Sequence, residues 1–257
     1  MSILISKAKD AASLWMPPAL FMRLVAWHDY FFAEPDLRVL SDLVVPGASA
    51  IDVGANYGVY SYYLSRLASR VYAYEPNHRL AARLKKAVSA NVTVIAAGLS
   101  DHVGTAVLTI PYIDGRQIHG FGTIEDHLFD GQISRTSIAL KRLDDEQYEN
   151  IGFIKIDVEG HEEAVIRGAL GLINRCHPRL LVEIEQRHLR KSVRDVVNFI
   201  ESLGYRTCAV QAGSNCRKAL YREIPASDML SENNGNKLPC NYLFVYKQDP
   251  FCKKLCG

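Results

Sequence analysis

Residues 49–61 read SAIDVGANYGVYS, and this stretch predicts how the rest of the chain folds. Ala50, Ile51 and Val53 are apolar and follow the Pro46-Gly47 turn signal, which predicts a buried strand. From Tyr57 the apolar residues recur at helical spacing. A strand that turns through glycines into a helix is typical of ligand sites in doubly wound α/β folds. The small residues let a ligand reach the backbone, and the helix N-terminus offers unpaired N–H groups.

The spacing of this turn narrows the class of ligand. It is not the dinucleotide pattern Gly-x-Gly-x-x-Gly, because Asn56 stands at the second glycine, and no Gly-Lys-Ser/Thr phosphate loop is present. The strand also carries an acid, Asp52, whereas a pyrophosphate favours positive charge. An acid here suits a cationic or neutral ligand, such as the amino-acid end and sulfonium of S-adenosylmethionine. An ordinary strand-to-helix turn is the alternative interpretation of this stretch alone.

The next two predicted strands extend the same site. Residues 71–74 read VYAY and end in Glu75-Pro76-Asn77, where a Rossmann-type fold accepts hydrogen bonds from ribose hydroxyls. Pro76 ends the strand, and Asn77 can cap the following helix. The third strand, residues 92–97, runs into a loop that ends in Ser100 and Asp101. These two are expected to meet the adenine amino group, although a plain turn would use the same residue types.

Two later strands also end in acids. Residues 153–158 form a predicted strand that carries Asp157 near its end and continues into Glu159 and His161, at the topological switch point of the sheet. Residues 179–182 form the fifth strand and continue into Glu183 and Glu185. Carboxylates at the end of a strand that is buried on both faces are costly unless they are paired or used. The sequence therefore predicts catalytic groups here, or alternatively ligands for a divalent ion.

The remaining segments predict secondary structure but indicate less about the ligand. A strand at residues 105–110 precedes a polar, glycine-rich passage, residues 111–135, which is predicted to be an acceptor-binding loop. A short strand follows at 137–140. Late in the chain, a polar excursion leads into NYLFVY, residues 241–246, and this order predicts an antiparallel last strand. Residues 1–33 are predicted to be an N-terminal helical extension of a single domain that spans residues 34–257.

Composition excludes several classes of protein. The 257 residues are 48% hydrophobic and 23% charged, which is typical of a globular chain, and a net charge of +2 argues against nucleic-acid binding. A basic cluster at Arg187, Arg190, Lys191 and Arg194 fits a solvated helix face. No apolar run reaches the roughly 18 residues of a membrane helix. No secretory signal is recognised, and thiols are reduced by default, so we expect a cytoplasmic protein.

The N-terminal helices and the cysteines allow several interpretations. The helices are expected to cover the sheet edge or a second copy of the chain, which would make a homodimer. Attachment to a membrane surface is the alternative, through Trp15, Phe21, Trp27, Phe31 and Phe32. All six cysteines fall in the last third, and a metal site formed by Cys216, Cys240, Cys252 and Cys256 fits no zinc spacing well.

Taken in order, these motifs resemble the FkbM family of methyltransferases over about residues 34–247. The matching segments are DVGAN at 52–56 with Gly58, EPN at 75–77, LSD at 99–101, IKIDVEGHE at 154–162 and VEI at 182–184. The resemblance implies a class I Rossmann-like α/β fold, with a mostly parallel seven-stranded sheet, an antiparallel last strand and helices on both faces. It also implies S-adenosylmethionine as donor and O-methylation of a sugar, glycan or small natural product.

The resemblance carries a set of site residues with it. The cofactor residues are expected to be Asp52, Gly54, Ala55, Asn56, Gly58, Ser61, Glu75, Pro76, Asn77, Ser100, Asp101 and Asp157. Asp157, Glu159, His161 and Glu185 are the expected catalytic residues, with His161 or Glu159 as the proton acceptor, Glu185 as a further candidate, and no metal. The alternatives are a nicotinamide-dependent oxidoreductase and a cofactor-binding module without turnover.

Overall fold

The computed structural model of the chain describes residues 3–118, 122–125, 131–212, 219–223 and 241–255. Its strands are β1 (Ser49–Val53), β2 (Val71–Tyr74), β3 (Val92–Ile95), β4 (Gly98–Leu99), β5 (Gly104–Ile113), β6 (Arg116–Gln117), β7 (Ile133–Lys141), β8 (Ile151–Ile156), β9 (Arg179–Glu183), β10 (Tyr205–Ala212), β11 (Ala219–Glu223) and β12 (Asn241–Tyr246). Its helices are α1 (Ile3–Trp15), α2 (Pro18–Phe32), α3 (Leu40–Leu43), α4 (Val59–Leu67), α5 (His78–Lys85), α6 (Glu162–Arg167), α7 (Leu170–Cys176), α8 (Val193–Ser202) and α9 (Pro250–Leu255).

The main sheet has the predicted architecture. Its strand order is β11-β10-β12-β9-β8-β1-β2-β3, and the run from β9 to β3 is parallel throughout. Strand β12 lies antiparallel between β9 and β10, as the late excursion in the sequence predicted. Strand β11 adds an eighth strand at the edge, which the sequence analysis missed. Strands β1 and β8 are buried along their whole length, so the centre of the sheet lies at this pair.

Helices cover both faces of the sheet. Leu40, Leu64 and Leu84, from α3, α4 and α5, pack into one core cluster. Val165 and Val196, from α6 and α8, pack into the cluster on the opposite face. Alternate residues of each central strand supply the two clusters, because successive side chains of a strand point to opposite faces.

The N-terminal segment forms two helices, separated at Pro17. Helix α2 packs against α4, and Met22 joins the core cluster on that face. Phe21 is buried, and the edge of its ring meets the ring of Tyr57 at 5.2 Å between centroids. Phe21 therefore does not belong to an exposed aromatic surface, contrary to the expectation that grouped it with the two tryptophans.

A second, four-stranded sheet stands above the carboxyl edge of the main one, in the order β4-β7-β5-β6. Strands β5 and β7 pair antiparallel from Gly104 with Leu140 to Pro111 with Ile133. The predicted acceptor loop at 111–135 was therefore wrong in extent, because both of its ends continue these two strands. Its histidines, His119 and His127, lie outside the described residues.

The last third of the chain is described only in part. Cys176 carries a free thiol, and the side chains of Cys208 and Cys252 are buried. Cys216, Cys240 and Cys256 lie outside the described residues, and so does most of the suggested metal site. Within the part of the chain that the structure describes, no helix combines the length and hydropathy needed to cross a bilayer.

Candidate active site

The site forms where β1 ends between β2 and β8. Val53 is in register with Tyr74 on one side and with Ile156 on the other. The backbone then turns at Gly54, whose φ is +79°, and the N–H groups of Gly54 and Ala55 both donate to the carbonyl oxygen of Tyr74 at 2.9 Å. A Cβ on Gly54 would lie 1.8 Å from the carbonyl oxygen of Asp157. This position accepts only glycine, because both the φ and the close approach exclude a side chain.

Two clefts meet at this turn. The first has a volume of about 710 Å³ and runs along the ends of β2 and β3 beneath the second sheet. The second, of about 810 Å³, runs towards α2 and the start of α4. Gly54, Asn56, Asp157 and Glu159 line both clefts. A molecule held in one cleft would therefore meet a molecule held in the other at these four residues.

Glu75 is the main polar group of the first cleft. Its carboxylate accepts the N–H of Asn56 at 2.7 Å and the N–H of Asn77 at 2.8 Å, one on each oxygen. Each carboxylate oxygen has a second lone pair, so the group can still accept two hydroxyl donors. Burial raises the pKa of Glu75 to about 7, although the two backbone hydrogen bonds oppose the shift. Asn77 caps α5 by accepting the N–H of Arg79 at 3.0 Å, as predicted.

One part of the first cleft is apolar. Pro76, Leu99, Leu108 and Ile138 contribute to its lining, from both the main and the second sheet. Flat, weakly polar rings bind well between such side chains. We call this apolar part of the cleft the apolar slot. It lies next to Glu75, because Pro76 follows the end of β2 and Leu99 follows the end of the neighbouring strand β3.

Asn56 carries an unused acceptor at the junction of the clefts. Its φ is +51°, a left-handed conformation that asparagine tolerates better than most residues. Its side-chain oxygen is buried without a hydrogen-bond partner. A buried acceptor of this kind costs free energy, on the order of 1–3 kcal/mol, until a donor reaches it. The junction therefore fits a ligand that carries N–H or O–H donors.

The second cleft contains a buried charge cluster around Lys155. This residue faces the cleft from the middle of β8, in register with Asp52 on β1. Its Nζ lies 3.0 Å from Oδ1 of Asn241 and 3.8 Å from the carboxylate of Glu183. Burial acts to lower the pKa of Lys155, but the neighbouring acids, first Asp157 and then Glu183, outweigh it and raise the pKa. The ammonium is therefore retained in the core by the carboxylates.

Several acids surround the single ammonium of Lys155, and their pKa values are raised. Burial raises the pKa of Glu34 to about 7 and that of Asp36 to about 6. The pKa of Glu183 is raised to about 8, chiefly by repulsion from Asp157 and then by burial. Burial also raises the pKa of Asp157 itself. Groups of this kind hold protons near neutral pH and can exchange them with a substrate.

Asp52 is part of the same cleft but is already bonded. Its carboxylate accepts the hydroxyl of Ser61 at 2.5 Å, and both side chains are buried. Burial raises the pKa of Asp52 to about 6, and the hydrogen bond from Ser61 acts in the opposite direction. Ser61 therefore fixes the orientation of the Asp52 carboxylate. Ser61 itself lines neither cleft, so it is not expected to contact a ligand directly.

The turn after β8 holds Glu159 and His161 in fixed positions. Glu159 has a φ of +54°, and its carboxylate lies 2.7 Å from Nδ1 of His188. Burial acts to lower the pKa of His188, but the hydrogen bond to Glu159 outweighs it and the pKa is raised. The two ring nitrogens of His161 lie 2.9 Å from the hydroxyl of Ser100 and 3.0 Å from Glu125. His161 is thus engaged on both sides.

Several predicted site residues lie away from the clefts. Ser100 is buried beneath His161, and Asp101 is exposed and bonded to His102, so neither lines the slot where adenine was expected. Glu185 pairs with Arg187 and does not line the second cleft, whereas Glu183 does. Gly58, with φ +84°, begins α4 and packs against Leu84. The remaining predicted residues line one or both clefts: Asp52, Gly54, Ala55, Asn56, Glu75, Pro76, Asn77, Asp157, Glu159 and His161.

Part of the site was not predicted from the sequence. No role was predicted for Lys155, Glu34, Asp36 or His188, all of which are buried or half-buried around the second cleft. A lysine in the middle of a continuously apolar strand was the one available signal, because such a group needs buried partners. Among the described residues, no three His, Cys, Asp or Glu side chains are grouped so as to hold a metal ion.

Comparison with known proteins gives a family match. A family model described as the Methyltransferase FkbM domain matches residues 52–207. No curated protein matches the chain in sequence. These 156 residues include the turn at Gly54, where the two clefts meet, and most of the predicted motifs.

Solved structures also match the chain, among them the following three, each with a TM-score below 0.5. Methyltransferase FkbM from Methylobacillus flagellatus KT is 16% identical, covers 93% of this chain and 58% of its own, and superimposes with a TM-score of 0.46. A putative methyltransferase from Streptococcus mutans, in complex with SAH, is 16% identical and covers 82% of this chain and 96% of its own, with a TM-score of 0.44. A SAM-dependent methyltransferase from Aquifex aeolicus is 15% identical and covers 90% and 98%, with a TM-score of 0.43. The chain thus spans less than two thirds of the Methylobacillus protein.

Proposed function

The chain belongs to the FkbM family of S-adenosylmethionine-dependent methyltransferases, and we propose that it methylates a hydroxyl oxygen of an acceptor bound in the second cleft. The observation that carries this proposal is the meeting of the two clefts at Gly54, Asn56, Asp157 and Glu159. A methyl donor in the first cleft and an acceptor in the second would be in contact there. Family membership favours this function over a nicotinamide-dependent oxidoreductase.

The first cleft fits S-adenosylmethionine. The free lone pairs of Glu75 suit the two ribose hydroxyls, and the apolar slot beside Pro76 and Leu99 suits the adenine ring. The unpartnered oxygen of Asn56 suits the ammonium group of the methionine end. Asp52 and Asp157 supply negative charge near a cationic ligand. When bound, the donor supplies an electrophilic methyl group on a positively charged sulfur.

The second cleft fits a neutral, hydroxylated acceptor. Carboxylates dominate its buried part, and they accept hydrogen bonds from hydroxyl groups and disfavour anions. This supports a sugar, a glycan or a small natural product as the acceptor class. The expectation of a cytoplasmic protein also becomes part of this proposal.

We assign the acceptor's proton to the carboxylates beside Lys155. In the transfer, a carbon–oxygen bond forms, the carbon–sulfur bond breaks, and the hydroxyl proton must go to a base. Asp157 lies at the junction of the clefts, and Glu183 lies 3.8 Å from Lys155 deeper in the second. Their raised pKa values suit a base that works near neutral pH. His161 is held by Ser100 and Glu125, so we assign it a positioning role and not the basic one predicted from the sequence.

The proposal is tested in two steps. Titration calorimetry should show binding of S-adenosylmethionine but not of NAD, and labelled donor should transfer its methyl group to a member of a sugar and small-polyol panel. Glu183→Gln should then keep donor affinity but lower kcat by about 10²–10⁴-fold, the usual contribution of a catalytic base. Glu185→Gln, two residues along and outside the cleft, should leave kcat unchanged.

Two results would contradict the proposal in different ways. Donor binding without transfer to any acceptor in the panel would favour a binding module without turnover. Equal losses in Glu183→Gln and Glu185→Gln would leave the enzyme assignment intact but remove Glu183 from the role of base.

A further inference from the structure

The outer side of the N-terminal helices carries an unusual concentration of exposed apolar side chains. Of the nine large apolar side chains that are exposed among the described residues, seven lie on α1 and α2. We call this set the apolar face: Leu14, Trp15, Leu20, Leu24, Trp27, Phe31 and Phe32. It includes both tryptophans of the chain. Contiguous exposed apolar patches mark contact with a protein or with a membrane.

The apolar face is continuous along α2. Leu20, Leu24, Trp27 and Phe31 recur at helical spacing and therefore share one side of the helix. The ring of Trp27 lies 5.2 Å from that of Phe31 and 6.1 Å from that of Phe32. The opposite side of α2 is buried, and Val25 and Asp29 on that side line the second cleft. The helix is thus amphipathic and roughly 22 Å long, at the usual rise per residue.

Positive charge lies beside the apolar face. Phe31 also lines an adjoining groove, in which both charged residues, Arg38 and Arg66, are arginines. Arg38 is held at the end of α2 by the carbonyl oxygens of Tyr30 and Phe31, at 2.9 and 3.0 Å. The guanidinium carbon of Arg66 lies 3.5 Å from the centre of the Tyr62 ring. Arginines and aromatic rings are therefore combined along one edge of the face.

The acids of the same helices turn away from this side. Asp29 is buried and paired with Lys9 at 2.7 Å, and Asp10 bonds the hydroxyl of Tyr57. The charges presented next to the apolar face therefore include Arg23, which is exposed on α2, and the two groove arginines. An anionic surface complements this arrangement.

We propose that the apolar face docks on an anionic lipid surface, with α2 lying in the plane of the membrane interface. Amphipathic helices with Trp, Phe and Leu on one side bind in this way, and neighbouring arginines add attraction to anionic headgroups. A second copy of the chain fits less well. A twofold interface would bring Arg38 and Arg66 of both copies into one contact, so the positive charge beside the face would be doubled and not neutralised. The docked chain would hold the second cleft close to the lipid.

The proposal is tested by co-sedimentation of the full chain with vesicles. We expect binding to vesicles of phosphatidylglycerol and phosphatidylcholine in equal parts, and weaker binding to phosphatidylcholine alone or at high salt. The double substitution Trp27→Ser with Phe31→Ser should lower the vesicle partition coefficient at least about tenfold, since each ring removed forfeits apolar burial. The matched control is Val103→Ser with Val107→Ser, because both valines are exposed but do not belong to the apolar face, and it should bind as the wild type does.

A second variant tests the charge independently of the rings. Arg66→Gln should weaken binding to the anionic vesicles, whereas Arg175→Gln, which makes the same charge change at an exposed position of α7, should not. Equal binding of the wild type to neutral vesicles would overturn the anionic assignment. Failure to bind any vesicle, with a dimer in sedimentation analysis that Trp27→Ser with Phe31→Ser disrupts, would show that a second copy covers the face and would overturn the proposal. Because the readout is vesicle binding, its failure would leave the proposed methyl transfer untouched.

Discussion

Replacing Gly54 by alanine is the most direct test of the turn at which the two clefts meet. The added Cβ would lie 1.8 Å from the carbonyl oxygen of Asp157 and 2.9 Å from its carbonyl carbon. Real Cβ atoms do not approach other heavy atoms within 3.0 Å, so the ends of β1 and β8 must separate by roughly 1 Å. The obstructing atoms belong to the backbone, which cannot swing aside as a flexible side chain would.

The structure provides a control that separates strain from collision. Gly47 also has a left-handed backbone, with φ +77° compared with +79° at Gly54, but a Cβ there would meet nothing within 4 Å. Gly47→Ala should cost only the backbone term, about 1 kcal/mol, because the left-handed penalty of about 1–2 kcal/mol is offset by the lower entropy of the unfolded chain. Gly54→Ala should cost that amount plus the displacement of Asp157, and we expect at least about 3 kcal/mol in total.

The substitution should lower activity as well as stability. A displacement of about 1 Å at a reacting centre can lower the rate about 10²-fold. Urea unfolding gives the free energies of unfolding, and calorimetry with S-adenosylmethionine gives the donor affinity. The reasoning is refuted if Gly54→Ala binds the donor as tightly as the wild type, or if it is no less stable than Gly47→Ala.

Three further predictions concern charge. Glu75→Gln should weaken binding of S-adenosylmethionine by about 10- to 100-fold in calorimetry, since a charged acceptor for the ribose is lost, whereas Glu149→Gln at an exposed position should not. The folded-state pKa values of Glu75 and Asp52 are raised to about 7 and 6 from their ordinary values of 4.5 and 3.8. The folded state therefore binds these protons more tightly, so the stability they contribute is fully present below about pH 4 and is lost as the pH rises to 7. The melting temperature of the ligand-free protein should fall between about pH 5 and pH 8, and a rise over that interval would contradict the assignment. Lys155→Met should lower the free energy of unfolding by about 3–5 kcal/mol at pH 8 and by less at pH 5, where the acids around it are protonated. Lys141→Met, at a half-exposed position, is its control and should be nearly neutral.

The sequence predicted those site residues that come directly after a strand in the chain. Glycine and asparagine after β1, and an acid after β2, mark positions whose chemistry depends on the local backbone. Gly54, Asn56 and Glu75 accordingly line the clefts. The antiparallel last strand was predictable for a similar reason, since NYLFVY is a continuous apolar run after a polar excursion.

The parts that were missed depend on contacts between distant segments. Glu183 and Glu185 would face the same side of a continuous strand, but β9 ends at Glu183 and the chain turns at 186–188, so Glu185 is turned towards Arg187. The surroundings of Lys155 include Glu34 and Asn241, which are far away in sequence, so its role could not be predicted from its own strand. The two strands of the β5–β7 hairpin were predicted at 105–110 and 137–140, but their extension to Ile113 and back to Ile133 was missed, since only Leu108, Ile110, Ile138 and Leu140 form the small core of the hairpin.

The short segment 122–125 ties the second sheet to the turn after β8. The hydroxyl of Thr123 donates to the carbonyl oxygen of Glu159 at 2.9 Å, and Glu125 bonds His161. Thr123 is itself bridged to Thr109 on β5. Chimeras that exchange this hairpin between family members, in order to transplant acceptor preference, would consequently carry a hidden cost. The transplanted hairpin must keep a hydroxyl at position 123 and a carboxylate at position 125. Without them, the turn after β8, which lines the first cleft, would lose the contacts that hold it in place.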